Sequence, residues 1–402
     1  MTLQDPTRAL LADPYAVYDE LRATAPVHRI IGPEGLPVWI VTRYDDVRQG
    51  LADPRLSLDK RNALAGNYRG FRLPPVLDAH LLNMDPPDHT RIRKLVTRAF
   101  TTRRIEELRK PVRRIADGLL DTMAERDRAD LVAAYAGPLP VIVISELLGV
   151  PEPSRRDFRE WTDAVLLPDP DHPERAKEAA GSLVAFFSGL LAHKRERPGD
   201  DLTSALIAVR GEDTARGTGR GADRLSEDEL MSLVFLILLA GYENMVQVIG
   251  NAVHALLTHP EWWAALRADP GLLPAAAEEF VRFESPAQLA IRRFPVEDVT
   301  IGGTTVPVGE TVMLCLGAAN RDPDRFPHPE RLDLRRDASG HVALGHGIHY
   351  CLGAPLARLE TEVAIGALLE RFPRLALDVP PEELRRRPST RARGLIALPV
   401  RY

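Results

Sequence analysis

Leu344-Gly345-His346-Gly347-Ile348-His349-Tyr350-Cys351-Leu352-Gly353-Ala354 is the stretch from which the rest of the chain is read. The sequence holds only two cysteines, Cys315 and Cys351, so they build neither a disulfide framework nor a four-thiolate metal cage. A lone cysteine is more often a small buried hydrophobe than a reactive group. The setting of Cys351 argues otherwise. Gly345 and Gly353 let the backbone come close to something flat or bulky, and the pattern from Ala354 onward predicts a helix starting just after the thiol. A thiolate at a helix N-terminus is favoured by the dipole and by free amide donors, which suits it to bind a metal. Cys351 therefore reads as a single axial thiolate, the ligand type that pushes electron density onto haem iron.

Length and composition set the frame. The 402 residues allow one large domain or two to three ordinary ones, and without a composition break the expectation is one domain, 1–402. A hydrophobic content of 45% and a formal charge of -5 describe a well-cored, soluble chain without a nucleic-acid signature. Met1-Thr2-Leu3-Gln4-Asp5-Pro6 shows no basic region followed by an apolar stretch, and the run Leu230 to Gly241 is too short to span a bilayer. No membrane association is expected, and two cysteines without an export signal fit a reducing cytoplasm.

Helical periodicity dominates. It marks Pro14 to Ala25, Arg91 to Ala99, Arg103 to Arg126, Ala176 to Glu196, Ser226 to Leu257, Ala275 to Phe283 and Ala354 to Phe372. Strand-like runs at Val38 to Thr42, Val299 to Val306 and Thr311 to Leu316 predict small sheets beside a mainly helical body, an α+β class. Arg210 to Asp223, rich in glycine and charge, reads as an exposed loop. Cys315 falls in a strand-like run and reads as core filling.

Three constellations bear on chemistry. Ser226-Glu227-Asp228-Glu229 is a capping box opening a helix that is apolar on every side, with Ala240-Gly241-Tyr242-Glu243-Asn244 inside it. A carboxylate there is costly unless hydrated or paired, so Glu243 is either functional or reaches a water pocket or structural arginine. Tyr242 and Met245 read as packing. Glu279-Phe280-Val281-Arg282 sets acid and base three apart on one helical face, by default a solvated surface pair. In Asp85-Pro86-Pro87-Asp88-His89-Thr90-Arg91-Ile92-Arg93 a Pro-Pro turn starts a helix with His89 and Arg93 on one face.

Together these motifs resemble the haem-thiolate monooxygenases, the cytochromes P-450 of the soluble bacterial type. The family's Phe-Gly-x-Gly-x-x-x-Cys-x-Gly is matched except that Leu344 replaces the Phe. The resemblance runs from Asp13-Pro14-Tyr15 through Trp39-Ile40-Val41-Thr42-Arg43-Tyr44 to Arg393-Gly394-Leu395. It implies a fold with haem b between a long distal helix and the proximal Cys351 loop. It also implies iron ligation by Cys351 within a loop shaped by Leu344, Gly345 and Gly353. Propionates would be held by His89, Arg93, His349 and Arg293, with Arg292 as the alternative to the last. Glu279, Arg282 and Arg331 would form a buried ion network. On the distal helix, Ala240 and Gly241 would make room for oxygen, and Glu243 with its neighbour would deliver protons. The family has Thr where this chain has Asn244. An amide can hold a water but does not relay a proton by the simple turnover of a hydroxyl. Asn244 would then anchor an ordered water, or a substrate hydroxyl would complete the relay.

The resemblance further implies a monomeric monooxygenase that hydroxylates or epoxidises a hydrophobic small molecule. Electrons would come from NAD(P)H through a ferredoxin reductase and a ferredoxin, the latter meeting a basic face at Arg91, Lys94, Arg98 and Arg358. By family position the pocket would draw on Leu58 to Leu82, Trp161 to Ala185, Phe235, Leu236, Leu239, Ala287 to Ile291 and Leu395 to Ile396. These are mostly apolar and suit a medium-to-large secondary metabolite such as a polyketide or macrolide. Two alternatives stand: a same-fold oxidase doing phenol coupling or peroxide-driven chemistry, which Asn244 keeps open, and a non-catalytic haem-binding sensor.

Overall fold

The computed structural model describes residues 6–32, 35–68, 74–166, 172–215 and 225–402. Helices dominate and strands are short, in keeping with the mainly helical α+β class. The chain forms two compact units, each discontinuous in sequence. The larger takes Met1–Phe71, Ala116–Ala136 and Asn244–Tyr402, the smaller Arg72–Ile115 and Gly137–Glu243.

In the larger unit a three-stranded sheet carries the core behind the cysteine loop. Val27–Ile31 pairs antiparallel with Pro37–Val41, Val27 opposite Val41. Val312–Leu314 then joins in parallel, Trp39 opposite Val312. The inward positions Val41, Val312 and Leu314 pack with Val47 and Phe326. Cys315 follows the third strand, fully buried, its amide donating to the Val41 carbonyl at 2.9 Å. Burial pushes its thiol well up, which keeps it inert core filling as the sequence predicts. The helix Tyr44–Ala52, absent from the sequence-based expectation, locks onto later segments. The Tyr44 amide donates to Asp322 Oδ2 (2.8 Å), and its hydroxyl to the Gly340 carbonyl (2.6 Å). At the C-terminus, Pro399–Arg401 sits between Arg128–Asp130 and Ala376–Leu377.

The smaller unit is helical. Asp88–Ala99, Pro138–Leu148, Arg155–Leu166, Pro173–Glu196 and Leu202–Ala215 bury apolar faces on one another. Phe158 meets Phe187 edge-on at 5.7 Å, and the Thr203 hydroxyl donates to the Leu148 carbonyl (2.8 Å). Two expectations are corrected. The run Arg103 to Arg126 is two helices, Thr102–Glu107 and Arg109–Met123. Pro111 lacks the amide that would continue the first helical ladder, so it sits in the first turn of a new helix instead. Arg210 to Ala215 is the end of a helix rather than loop, while 216–224 lie outside the described residues.

The helix Glu227–Thr258 runs 32 residues, and its capping box is formed. The Glu229 amide donates to Ser226 Oγ (3.1 Å) and the Ser226 amide to Glu229 Oε2 (2.7 Å). It is long and apolar enough to cross a membrane, yet 72% of its most apolar window is buried in the fold, as in a helix threaded through a core.

Candidate active site

Glycine conformation shapes the Cys351 loop. Gly345 and Gly347 take φ of +76° and +71°, which L side chains rarely adopt. A Cβ on Gly347 would also stand 3.1 Å from both the Ala52 Cα and the Leu51 carbonyl, at the end of Tyr44–Ala52. The chain turns back so that the Cys351 amide donates to the Leu344 carbonyl (2.8 Å). Three residues on, Ala354–Arg371 begins with Pro355 in its first turn. Cys351 is free of any disulfide and half-buried, unlike fully buried Cys315. The loop thus presents one accessible thiol at a helix N-terminus.

Two ion networks hold this loop from the helix Leu273–Phe283. Glu279 and Arg282 are 0% exposed, joined by two parallel hydrogen bonds, Nε to Oε2 (2.6 Å) and Nη2 to Oε1 (2.7 Å). Arg282 Nη1 donates onward to the Asn320 (2.9 Å) and Pro329 (3.1 Å) carbonyls. The third cation is not Arg331. That side chain is 73% exposed and faces Glu330, and only its carbonyl enters the network. Arg336 takes the place, 11% exposed, with Nε 3.3 Å from Glu279 Oε1 and bonds to the Pro327 and His328 carbonyls. The turn through 329–333 directs Arg331 outward and returns the chain so that Arg336 points in, a choice that sequence spacing alone does not reveal.

The second network was not foreseen. Glu278, one position earlier, faces another way and accepts from Arg358 Nε and Nη2, one edge of the guanidinium, while His341 Nε2 lies 3.0 Å from its Oε2. Burial raises this carboxyl, but hydrogen bonds from His341 and Arg358 outweigh it and leave Glu278 at about 2. Arg358 also donates to the Tyr350 hydroxyl (3.0 Å), immediately before Cys351. Of the basic face assigned to a redox partner, Arg358 is therefore bound to Glu278, and Arg91 is bound to Glu229. Lys94 and Arg98 are exposed.

The remaining candidate cations divide between the units. In the larger, Arg293 is 4% exposed and Arg292 lies 4.2 Å over the Tyr68 ring, with His349 half-buried in the cysteine loop. In the smaller, His89 is buried and Arg93 half-buried on one face of Asp88–Ala99. On the long helix Glu243 is half-buried, whereas Ala240 and Asn244, one turn apart, are exposed within an otherwise buried stretch. Gly241 packs backward: a Cβ there would come within 2.8 Å of Ile144 Cδ1. Of the pocket calls, Phe235 is a core side chain at 1% exposure and Ile396 is exposed, while 69–73 and 167–171 lie outside the described residues.

Glu360 was also missed. It lies on the inner face of Ala354–Arg371, 2% exposed, and burial raises it to about 8, with no hydrogen-bond partner for Oε1 among the described residues. A carboxyl raised in the folded state binds a proton that the unfolded chain has lost. Stability therefore falls as pH rises from the ordinary carboxylate range, near 4.5, toward 8. Glu360→Gln removes that slope. Chemical denaturation should show the variant gaining at most about 3 kcal/mol on the parent between pH 5 and 7, and parallel curves would refute the assignment.

The donor set tests the fit to haem. Among the described residues no three His, Cys, Asp or Glu side chains come together to hold a metal. A single accessible thiol with buried Arg293 and half-buried His349 in the same unit instead suits an iron whose other ligands come from a porphyrin with anionic arms.

Comparison with known proteins points the same way. The family model described as Cytochrome P450 matches residues 162–396. The chain is 50% identical over 393 residues to the cytochrome P450 monooxygenase PikC of Streptomyces venezuelae, covering 97% of this chain and 91% of that one. It is 44% identical over 400 residues to the 6-deoxyerythronolide B hydroxylase of Saccharopolyspora erythraea, covering 97% and 96%. The solved structure of the tirandamycin C-bound P450 monooxygenase TamI superposes with a TM-score of 0.86 at 45% identity, over 97% of each chain.

Proposed function

The chain belongs to the cytochrome P450 family and is a monooxygenase, and from that premise we propose that it hydroxylates or epoxidises a medium-to-large hydrophobic natural product of the polyketide or macrolide kind. Full-length similarity to relatives that hydroxylate 6-deoxyerythronolide B and bind tirandamycin C is the observation that carries this reading. We also take 1–402 to act as one domain and one monomer in the cytoplasm.

When bound, haem b supplies oxygen activation and accepts electrons one at a time. Cys351 would hold its iron through the thiolate, and the hydrogen bond from the Cys351 amide to the Leu344 carbonyl, with Gly345 and Gly353, shapes the loop around that sulfur. By the family resemblance, His89, Arg93, Arg293 and His349 are the cations that would neutralise its propionates. The Glu279–Arg282–Arg336 network and the Glu278–Arg358–Tyr350 chain fix the loop from behind. Ala240 and Gly241 keep the helix slim, Glu243 exchanges protons with solvent at its carboxylate, and Asn244 holds a water at its amide. Electrons come from NAD(P)H through a reductase and a ferredoxin.

The test is optical and then chemical. Carbon monoxide should give the thiolate-type difference band, and a panel of macrolides and polyketides should contain compounds that shift the iron from low to high spin. With NADPH, ferredoxin and reductase such a compound should gain one oxygen. Turnover with peroxide alone would favour the peroxide-driven reading, coupled phenols the phenol-coupling one, and binding without turnover the sensor reading. Asn244→Thr should lower peroxide released per NADPH about threefold. Unchanged coupling with lower activity would sink the idea of a weakened relay.

A further inference from the structure

Tyr242, which the sequence suggests is mere packing, has a specific polar partner. It is 6% exposed, and its hydroxyl donates to Asp163 Oδ1 at 2.5 Å, across 79 positions of sequence, on the helix Arg155–Leu166. The acceptor is itself oriented: Asp163 Oδ2 lies 3.7 Å from Arg159 Nε, one turn earlier. At the preceding residue, Gly241, the helix Pro138–Leu148 leans in through Ile144. Two neighbouring helices thus bear on consecutive residues of the long helix, one through van der Waals contact and one through a charge-assisted hydrogen bond.

The geometry of an α-helix turns this into a statement about the opposite face. Residues two before and two after Tyr242 lie about 200° around the axis from it. Those residues are Ala240 and Asn244, the exposed pair. Apolar packing alone lets a helix roll or open a turn at glycine, whereas a bond from a neutral donor to a carboxylate is short and directional. We infer that Tyr242 and Asp163 are positioning residues: their hydrogen bond sets the rotation of the Ala240–Asn244 turn, and through it the coupling of electron use to product, with little influence on substrate affinity. This deepens the monooxygenase reading above and rests on it.

Removing the bond need not unfold the protein. Asp163 also lines a cavity of about 530 Å³ with Val141, Ile142, Ser145 and Arg155, so water can solvate the carboxylate once the phenol is gone. The test uses the haem-loaded protein with Tyr242→Phe, Asp163→Leu and Asp163→Asn, whose amide oxygen still accepts. In Tyr242→Phe and Asp163→Leu, backbone amides over 240–246 should exchange about tenfold faster. Peroxide released per NADPH should rise about threefold, while substrate Kd and KM stay within about twofold. Asp163→Asn should remain near the parent, and the double variant should be no worse than either single one. Parent-like exchange and coupling in Tyr242→Phe would overturn the proposal, as would Asp163→Asn behaving like Asp163→Leu. If the parent itself lacks the thiolate band or makes no oxygenated product, the monooxygenase reading fails, and the exchange measurement still decides whether the bond holds the turn.

Discussion

Cys351→Ser is expected to lose the thiolate band in carbon monoxide and to fall below about one thousandth of parental turnover, roughly 4 kcal/mol of barrier. A serine hydroxyl is almost entirely protonated at neutral pH, so the electron-rich sulfur ligand has no counterpart. The loop itself should survive, because its shape rests on the left-handed Gly345 and Gly347 and on the Cys351 amide bonding Leu344, none of which needs sulfur. Cys315→Ala is the control. That thiol is fully buried and its change should leave the spectrum untouched. A thiolate band persisting in Cys351→Ser, or vanishing in Cys315→Ala, would remove the assignment on which every other role depends.

Arg282→Ala is expected to cost about 3–5 kcal/mol and to lower haem content, because it strands Glu279 with a net charge at 0% exposure. Arg336 lies 3.3 Å from the same carboxylate but cannot replace the two parallel bonds, nor the contacts of Arg282 to the Asn320 and Pro329 carbonyls. Denaturant unfolding and the haem-to-protein ratio measure the two effects together. The same assay separates the third member of the network. Arg336→Ala should cost about 1–3 kcal/mol through lost bonds to Glu279 and to the Pro327 and His328 carbonyls. Arg331→Ala, at an exposed side chain, should stay within about 0.5 kcal/mol. The reverse ranking of Arg331 and Arg336 would restore the assignment drawn from sequence.

How far the sequence could be read depended on whether the signal was local. The helix through Ala240–Asn244 was legible in its capping box and apolar length, and the strand at Val38 to Thr42 in its β-rich run, because both patterns complete themselves within one element. Tyr44–Ala52 and Pro138–Leu148 were missed. The first is short and lacks a side-chain cap, and the second is buried nearly all round, so no amphipathic stripe announces it. Glu279 and Arg282 lie three apart and could be paired on paper. The third cation comes from a segment without regular structure, where nothing in the spacing says which arginine turns inward.

What the sequence determined by itself was the chemistry of single residues and near neighbours: one thiol before a helix, glycines around it, an acid inside an apolar helix, and Asn244 in place of threonine. Those are covalent identities at short separation, and the backbone rules that read them act over a turn or less. Tertiary structure decided which distant charges meet. It chose Arg336 over Arg331, withdrew Arg358 and Arg91 into ion pairs, left Glu360 buried with one oxygen lacking a partner among the described residues, and gave Tyr242 to Asp163. Pairing of that kind follows from where whole elements pack, and packing is settled by summed apolar burial that no individual charged residue encodes.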